Sequence, residues 1–369
     1  MPRVVFEPAT PADDAPLRRL FAANPMDGPI RVAFEREPSY FHAVTVQGRD
    51  AQVMLGRDAT TGEVIGVGTR TIKKVFVNGE PCDVGYLSDL RLRPTHRGGT
   101  LVARGYRLLR ELHRDGRTPL YFTAIAADNC RALETITTGR AGLPSYRDLG
   151  VFESPALNVA GFKPAIEAGV EIVRGCTELV PAIVGCLNEH GRAKQFAPVY
   201  AIEDFCAADS RLRDFRVEDF AVALRGGRVV GTLARWDQRR FKQTRVVGYG
   251  RALATLRPLF NLGAPAFGLP RFPAPGAHLD ACYAGFLAIA DDDVDVFRSL
   301  LRRIYQDARA AGDAYLLIGL HARDPLCAAL ADYRCSAFRG RLFAVHFEDG
   351  DAAYRVLDAR VPHVELATL

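Results

Sequence analysis

The sequence predicts a mixed α/β (α+β) fold in two tandem copies, each a mostly antiparallel central sheet flanked by helices. Three observations carry this. Residues 86–113 read as a strand, a basic turn at His96-Arg97-Gly98-Gly99, and a helix whose Leu101, Leu108, Leu109 and Leu112 recur at helical spacing. Upstream, residues 51–57 and 63–77 alternate apolar and polar side chains around the turn Asp58-Ala59-Thr60-Thr61-Gly62, the pattern of an antiparallel pair. Finally, the chain repeats its own landmarks. Gly116 and Asp128 recur 196 residues later as Gly312 and Asp324, and Gly62-Glu63-Val64-Ile65-Gly66 recurs 165 residues later as Gly227-Arg228-Val229-Val230-Gly231.

In chain order, residues 4–7 suit a first strand and 11–23 a helix burying Leu17, Leu20 and Phe21. Residues 24–43 mix Pro, Gly and aromatics and read as a lid or wall with room for a short helix. The two alternating strands follow, then Asn78-Gly79 as a hairpin signal and the strand entering the glycine turn. Gly116 stops the helix, residues 120–127 make another strand, Asp128-Asn129 caps a short helix to about residue 138, and 146–157 supply a closing strand. The copies are expected at 1–160 and 161–369. The two offsets differ by 31 residues, and the surplus coincides with residues 251–276, whose Pro258, Pro265, Pro270, Pro273 and Pro275 exclude regular helix and central strand.

Composition bounds the function. With 369 residues and 48% hydrophobic content, the chain buries cores for two domains. A net charge of +5, spread among nearly as many acids as bases, gives no expectation of a nucleic-acid partner. Eight cysteines lie far apart, with no CxxC pair or zinc spacing, so no metal is expected and the thiols read as reduced, buried, small apolar residues. No window approaches a membrane span, and the expectation is a cytoplasmic protein with no membrane partner.

Backbone N–H groups at the start of the helix after Gly98 and Gly99, backed by Arg97, make a seat for phosphate or pyrophosphate. Carrying the 196-residue offset back lays Arg97-Gly98-Gly99 on Asp293-Val294-Asp295, inside the acidic run 291–295. Carboxylates cap a helix but repel an anionic ligand, so the second copy is expected to be a degenerate scaffold that pairs with the first copy, shapes an acceptor pocket or forms a homodimer.

The order strand, helix, meander, strand, glycine turn, helix, strand, helix, strand over residues 1–160 resembles the GNAT (Gcn5-related N-acetyltransferase) superfamily. The resemblance implies acetyl-CoA or another acyl-CoA as co-substrate and direct transfer to an amine acceptor, either a small molecule or a peptide. It places the thioester and pantetheine arm against Leu90, Arg91 and Leu92, and the pyrophosphate at Arg97, Gly98, Gly99, Thr100 and Leu101. Asn129 would touch the pantetheine arm or simply cap its helix. Asp89 is the first candidate for the base, alternatively paired with Arg91 or Arg93; the carboxylate of Leu369 is a second. The family's tyrosine acid would fall near Ile136, leaving Tyr146 or Tyr121 as a substitute. Two other readings keep the fold: a non-catalytic sensor of acyl-CoA or a phosphate ligand, and an acyltransferase drawing on a carrier protein or aminoacyl-tRNA. Phe34, Tyr40, Phe41, Tyr121 and Phe122 either line an acceptor pocket or pack in a core.

Overall fold

The computed structural model describes residues 4–98, 100–137, 139 and 142–369. The first half runs β1 (Val4–Pro8), α1 (Asp14–Ala22), β2 (Ile30–Glu35), α2 (Tyr40–Val44), β3 (Arg49–Asp58), β4 (Val64–Val77), β5 (Glu80–Leu92), α3 (Leu101–His113), β6 (Tyr121–Ala126), α4 (Cys130–Ile136), β7 (Ser145–Glu153) and β8 (Ala156–Asn158). The second runs β9 (Glu171–Arg174), α5 (Val180–Gly191), α6 (Glu203–Cys206), β10 (Phe220–Arg225), β11 (Arg228–Trp236), β12 (Gln243–Tyr249), α7 (Arg251–Gly263), β13 (Ala281–Ile289), α8 (Val294–Ala310), β14 (Tyr315–Leu317), β15 (Leu320–His321), β16 (Cys335–Ser336), β17 (Arg339–His346) and α9 (Asp351–Arg355).

Two large sheets result, and each takes strands from both halves. The first has the order β1-β3-β4-β5-β6-β17-β7-β15 and the second β16-β8-β14-β13-β11-β10-β9. Strand β17 thus sits between β6 and β7, while β8 crosses to pair with β14 and β16. The expected closing strand at 146–157 is therefore two strands in two sheets. Antiparallel pairing prevails; β5–β6 and β13–β14 are the parallel neighbours. In place of a simple wall, residues 30–35 form β2, which pairs with β12 of the second half.

Alternation along β3 separates the two faces of the first sheet. Val53 and Leu55 pack with Leu17, Leu20, Phe21 and Tyr40 under α1 and α2. Met54 turns instead to the cluster of Leu87, Tyr106, Leu109 and Tyr121 under α3. The second sheet buries Val296, Phe297, Leu300, Leu301 and Ile304 of α8 on one side. On its other side an aromatic cluster contains Phe220, Trp236 and Phe286.

The repeat is visible in backbone detail. Strand β4 shifts register between Val67 and Thr69 against β5, and β11 shifts between Thr232 and Ala234 against β13, the same 165-residue offset. Asp89 in β5 and Phe286 in β13 both adopt positive φ, at 58° and 56°. Gly116 and Gly312, both left-handed, follow α3 and α8.

Two expectations fail. The Pro-rich insertion opens as a helix, α7, with Pro258 inside it; a proline removes one N–H and disturbs one turn, which a solvent-facing helix tied down by side chains tolerates. Asn261 makes such ties, exchanging hydrogen bonds of 2.9 and 2.8 Å with the main chain of Phe272. The cysteines are free thiols, yet only Cys186 and Cys282 are buried, and Cys82, Cys130, Cys206 and Cys335 are exposed. Among the described residues, no helix is long and apolar enough to cross a membrane, and no group of three or more His, Cys, Asp or Glu could hold a metal.

Candidate active site

Strands β5 and β6 pair in register at only two positions, Gly85 with Tyr121 and Tyr86 with Phe122. A Cβ on Gly85 would lie 2.0 Å from the Tyr121 ring, so this junction requires glycine. The Thr123 hydroxyl donates to the Leu87 carbonyl at 2.7 Å, and beyond it the ladder ends. From Ser88 onward β5 stays with β4 alone, presenting the main chain of Leu90, Arg91 and Leu92 beside the parting. Leu90 is 48% exposed there. Arg91 stacks over Phe21, 4.4 Å from the ring centroid, and donates to the Asn24 carbonyl at 3.2 Å.

Asp89 is turned by its positive φ onto the α1 side of the sheet, the side to which Ser88 also points. A bulge that re-aims one side chain is a common device beside reactive centres. The Tyr40 hydroxyl donates to Asp89 Oδ2 at 3.1 Å and also contacts Thr69 Oγ1 at 2.8 Å. Burial, then the charge of Asp89, pushes the Tyr40 phenol well above its usual range, so it keeps its proton and acts as a donor. Arg36, 5% exposed, forms the ion pair with Asp89 at 3.6 Å, replacing the expected Arg91 or Arg93 partner. Arg93 instead pairs with Glu63 at 2.7 Å. Ser88 donates to Gln47 Oε1 at 2.7 Å.

Two lysines, Lys73 buried and Lys242 half-buried, complete this side. Lys73 donates to the main-chain oxygen of Thr368 at 2.8 Å and its hydroxyl at 3.1 Å; Lys242 donates to the main-chain oxygen of Leu369 at 3.0 Å. Burial pulls each ammonium down to about 7, with Arg211 adding to the effect at Lys73 and Arg36 at Lys242. Segment 364–369 is thereby drawn into the face that carries Asp89, bringing Leu369 against the cluster that holds Tyr86, Phe122 and Phe196.

At the turn, Arg97 reaches back, donating to the Leu92 carbonyl at 3.1 Å and to Asn24 Oδ1 at 3.3 Å. Gly98 has φ 115° with open space where a side chain would stand. Gly99 lies outside the described residues. Thr100 is the N-cap of α3 and supplies no side-chain hydrogen bond to it, and Leu101 opens the helix. The second copy differs at this point. Asp293 caps α8, accepting from the N–H groups of Asp295 at 3.0 Å and Val296 at 3.2 Å, and pairs with Arg225 at 3.1 Å. Although burial opposes it, the bond from Arg225 and those two N–H groups hold the Asp293 carboxyl below its usual range. Asp292 pairs with Lys194 at 3.0 Å. Phe286, standing where Asp89 stands, packs 4.6 Å from Phe215 and 5.5 Å from Trp236. One copy keeps an uncapped helix start and a polar bulge; the other fills both places.

The remaining sequence candidates fall elsewhere. Asn129 caps α4, accepting from the Ala132 N–H at 3.2 Å. Tyr146 hydrogen-bonds the Tyr106 hydroxyl in the cluster under α3, so it and Asp89 occupy opposite faces and form no common relay. Burial, followed by the neighbouring Tyr106, pushes the Tyr146 phenol well above its usual range. The aromatic set is no single pocket wall: Tyr40, Tyr121 and Phe122 are buried in three different clusters. Arg36, Thr69, Lys73 and Lys242 as partners of this region escaped the sequence reading, and Tyr40 entered it only as one of the pocket-or-core aromatics, since nothing local marks residues that meet only through the fold.

No protein-family model and no curated protein matches the sequence. Solved structures do. A GCN5-related N-acetyltransferase from Sphaerobacter thermophilus aligns with a TM-score of 0.55 at 14% identity, over 99% of this chain and 98% of that one. N-myristoyltransferase from Saccharomyces cerevisiae, solved with myristoyl-CoA, aligns at 0.59 and 10% over 93% and 79%. The glucosamine N-acetyltransferase region of a fungal multi-domain β-N-acetylglucosaminidase aligns at 0.59 and 10%, over 93% of this chain and 38% of that much longer one. With the duplicated bulge, the parted strands and the crossed sheets, this chain has the fold of the GCN5-related N-acetyltransferases, in two tandem copies.

Proposed function

We propose that the protein is an acyl-CoA-dependent N-acyltransferase, with acetyl-CoA as the first donor to test, transferring the acyl group directly to an amine. The observation that carries this reading is the contrast between copies at equivalent positions. Where α8 is capped by Asp293, α3 begins without a side-chain cap beside Gly98 and Arg97, which suits an anion. In the proposal the pyrophosphate lies at Arg97, Gly98, Thr100 and Leu101, with Arg97 exchanging its bond to Leu92 for a phosphate oxygen. The pantetheine arm follows the parting between β5 and β6, past Leu90 and Leu92. The acyl carbonyl then reaches the face where Asp89 stands.

Transfer needs proximity, an amine without its proton, and stabilisation of the oxyanion. Main-chain N–H groups freed where β5 leaves β6 supply the last. Asp89 accepts the amine's proton directly or through a water shared with Ser88, and Arg36 and Tyr40 fix its orientation. Tyr146, on the other face, stands on the side from which the thiol would leave. The acceptor in this reading is a small amine or a peptide amine, and one aligned region is by its own description a glucosamine N-acetyltransferase.

The test is a calorimetric titration of acetyl-CoA into wild type and the Arg97→Glu/Thr100→Glu variant, followed by thiol release with an amine library. Micromolar binding lost in the variant, and turnover lost in Asp89→Ala, is expected. Equal affinity in both proteins overturns the site; binding without thiol release across the library favours a non-catalytic acyl-CoA sensor.

A further inference from the structure

Ten large apolar side chains stand exposed among the described residues, and five fall together: Leu256, Leu259 and Leu262 on α7, Phe267 just after it, and Phe162. Their exposures run from 57% to 80%. The three leucines follow one another at intervals of three, one stripe of the helix. Phe162 joins through Gly161, whose Cα a Cβ on Gly268 would touch at 3.8 Å.

This is a built platform and not a loose loop. Besides the exchange between Asn261 and Phe272, Arg257 donates to the Phe272 carbonyl at 3.1 Å, the Tyr249 hydroxyl to Pro273 at 2.7 Å, and Arg334 to Phe267 at 2.8 Å. Phe260 stacks on Phe272 at 4.4 Å behind the stripe. The segment is held in shape while its leucines face water, and an apolar patch so maintained has a partner.

Charge decides which. Residues 251–276 contain three arginines, Arg251, Arg257 and Arg271, and no Asp or Glu. A two-fold contact between two copies would set this patch against itself, arginine facing arginine with no acid to answer. An anionic lipid surface answers both features: headgroups take the arginines, and the boundary with the acyl chains takes the leucines and phenylalanines, as for helices lying in the plane of an interface.

We propose that α7 and the turn to Phe267 form a peripheral docking surface for anionic membranes, seating the protein on the bilayer without spanning it. This is independent of the acyltransferase reading and departs from the composition-based expectation of no membrane partner. Strand β12, which leads into α7, pairs with β2, whose last residue precedes Arg36; the platform is thus joined by one short arm to the Asp89 site.

The experiment is co-sedimentation of the full chain with vesicles of phosphatidylcholine alone or with 30% phosphatidylglycerol as probe, alongside light scattering for oligomeric state. Wild type is expected to pellet with the anionic vesicles about tenfold more than with the neutral ones. Leu256→Asp/Leu259→Asp and Arg251→Glu/Arg271→Glu are each expected to abolish this, with an unchanged circular-dichroism spectrum and urea midpoint as proof of folding. Absence of wild-type pelleting overturns the proposal. So does pelleting unchanged in both variants, and so does a wild-type dimer that Leu256→Asp/Leu259→Asp converts to monomer without any lipid binding by either.

Discussion

Replacing Lys73 by Met tests the buried amines that draw segment 364–369 into the site. Lys73 is buried, and that burial lowers its pKa from 10.5 to about 7. The unfolded chain holds this proton up to about pH 10.5, so across the interval above pH 7 the unfolded state binds more protons and stability rises with pH. The penalty is fully present below pH 7, where protonating a group shifted by three and a half units amounts to about 5 kcal/mol, and it is relieved toward pH 10.5. Between pH 7 and 9 the linkage relation returns about 2 kcal/mol. Methionine keeps the length and removes the titration. It leaves the Thr368 carbonyl and hydroxyl without their donor, a loss of about 1–3 kcal/mol that does not vary with pH. Urea unfolding of wild type and Lys73→Met at pH 7, 8 and 9 gives the two slopes. The wild-type curve is expected to climb more steeply, by about 2 kcal/mol over the interval. Parallel curves would refute the assignment of Lys73 as a desolvated amine.

Other expectations concern the contrast between copies. Asp293→Ala removes the cap of α8 and lowers stability by about 1 kcal/mol in denaturant titrations, with acetyl-CoA affinity unchanged by calorimetry. Phe286→Ala opens the aromatic cluster and lowers stability by about 3–5 kcal/mol, read as the urea midpoint, while turnover per folded molecule stays within about twofold. Asp89→Asn preserves size and the contact with Tyr40 but removes the charge facing Arg36; thiol release from acetyl-CoA is expected to fall at least about tenfold with binding retained. Tyr146→Phe deletes the bond to Tyr106 and is expected to lower kcat while leaving KM for acetyl-CoA within about twofold; an unchanged kcat removes Tyr146 from the transfer.

Features written in contiguous residues were legible in the sequence. The segment 86–113 announced strand, turn and helix through glycine placement and leucine spacing, and the acidic run at 291–295 announced its capping role through composition. The 165-residue offset between the two hairpins was also legible, and the register shifts at Val67 and Thr232, which the sequence did not announce, keep it. What the sequence withheld depends on long-range assembly. Nothing near Arg36 or Lys242 says that both will face Asp89, and no periodicity says that β17 will slide between β6 and β7. The helix across Pro258 was misjudged because local propensity was weighed without the side-chain bonds that hold α7 in place.

The crossing of β8 and β17 has a consequence for any attempt to divide the molecule. A chain cut at residue 160 would lack the strand that joins β6 to β7, leaving two bare edges in the middle of its sheet and surrendering its own β8 to nobody. Such a fragment is a receptor seeking a donor, and a second fragment could satisfy it only by entanglement. The second copy is therefore no passenger. It lends the first sheet an interior strand, so the integrity of each half depends on the other.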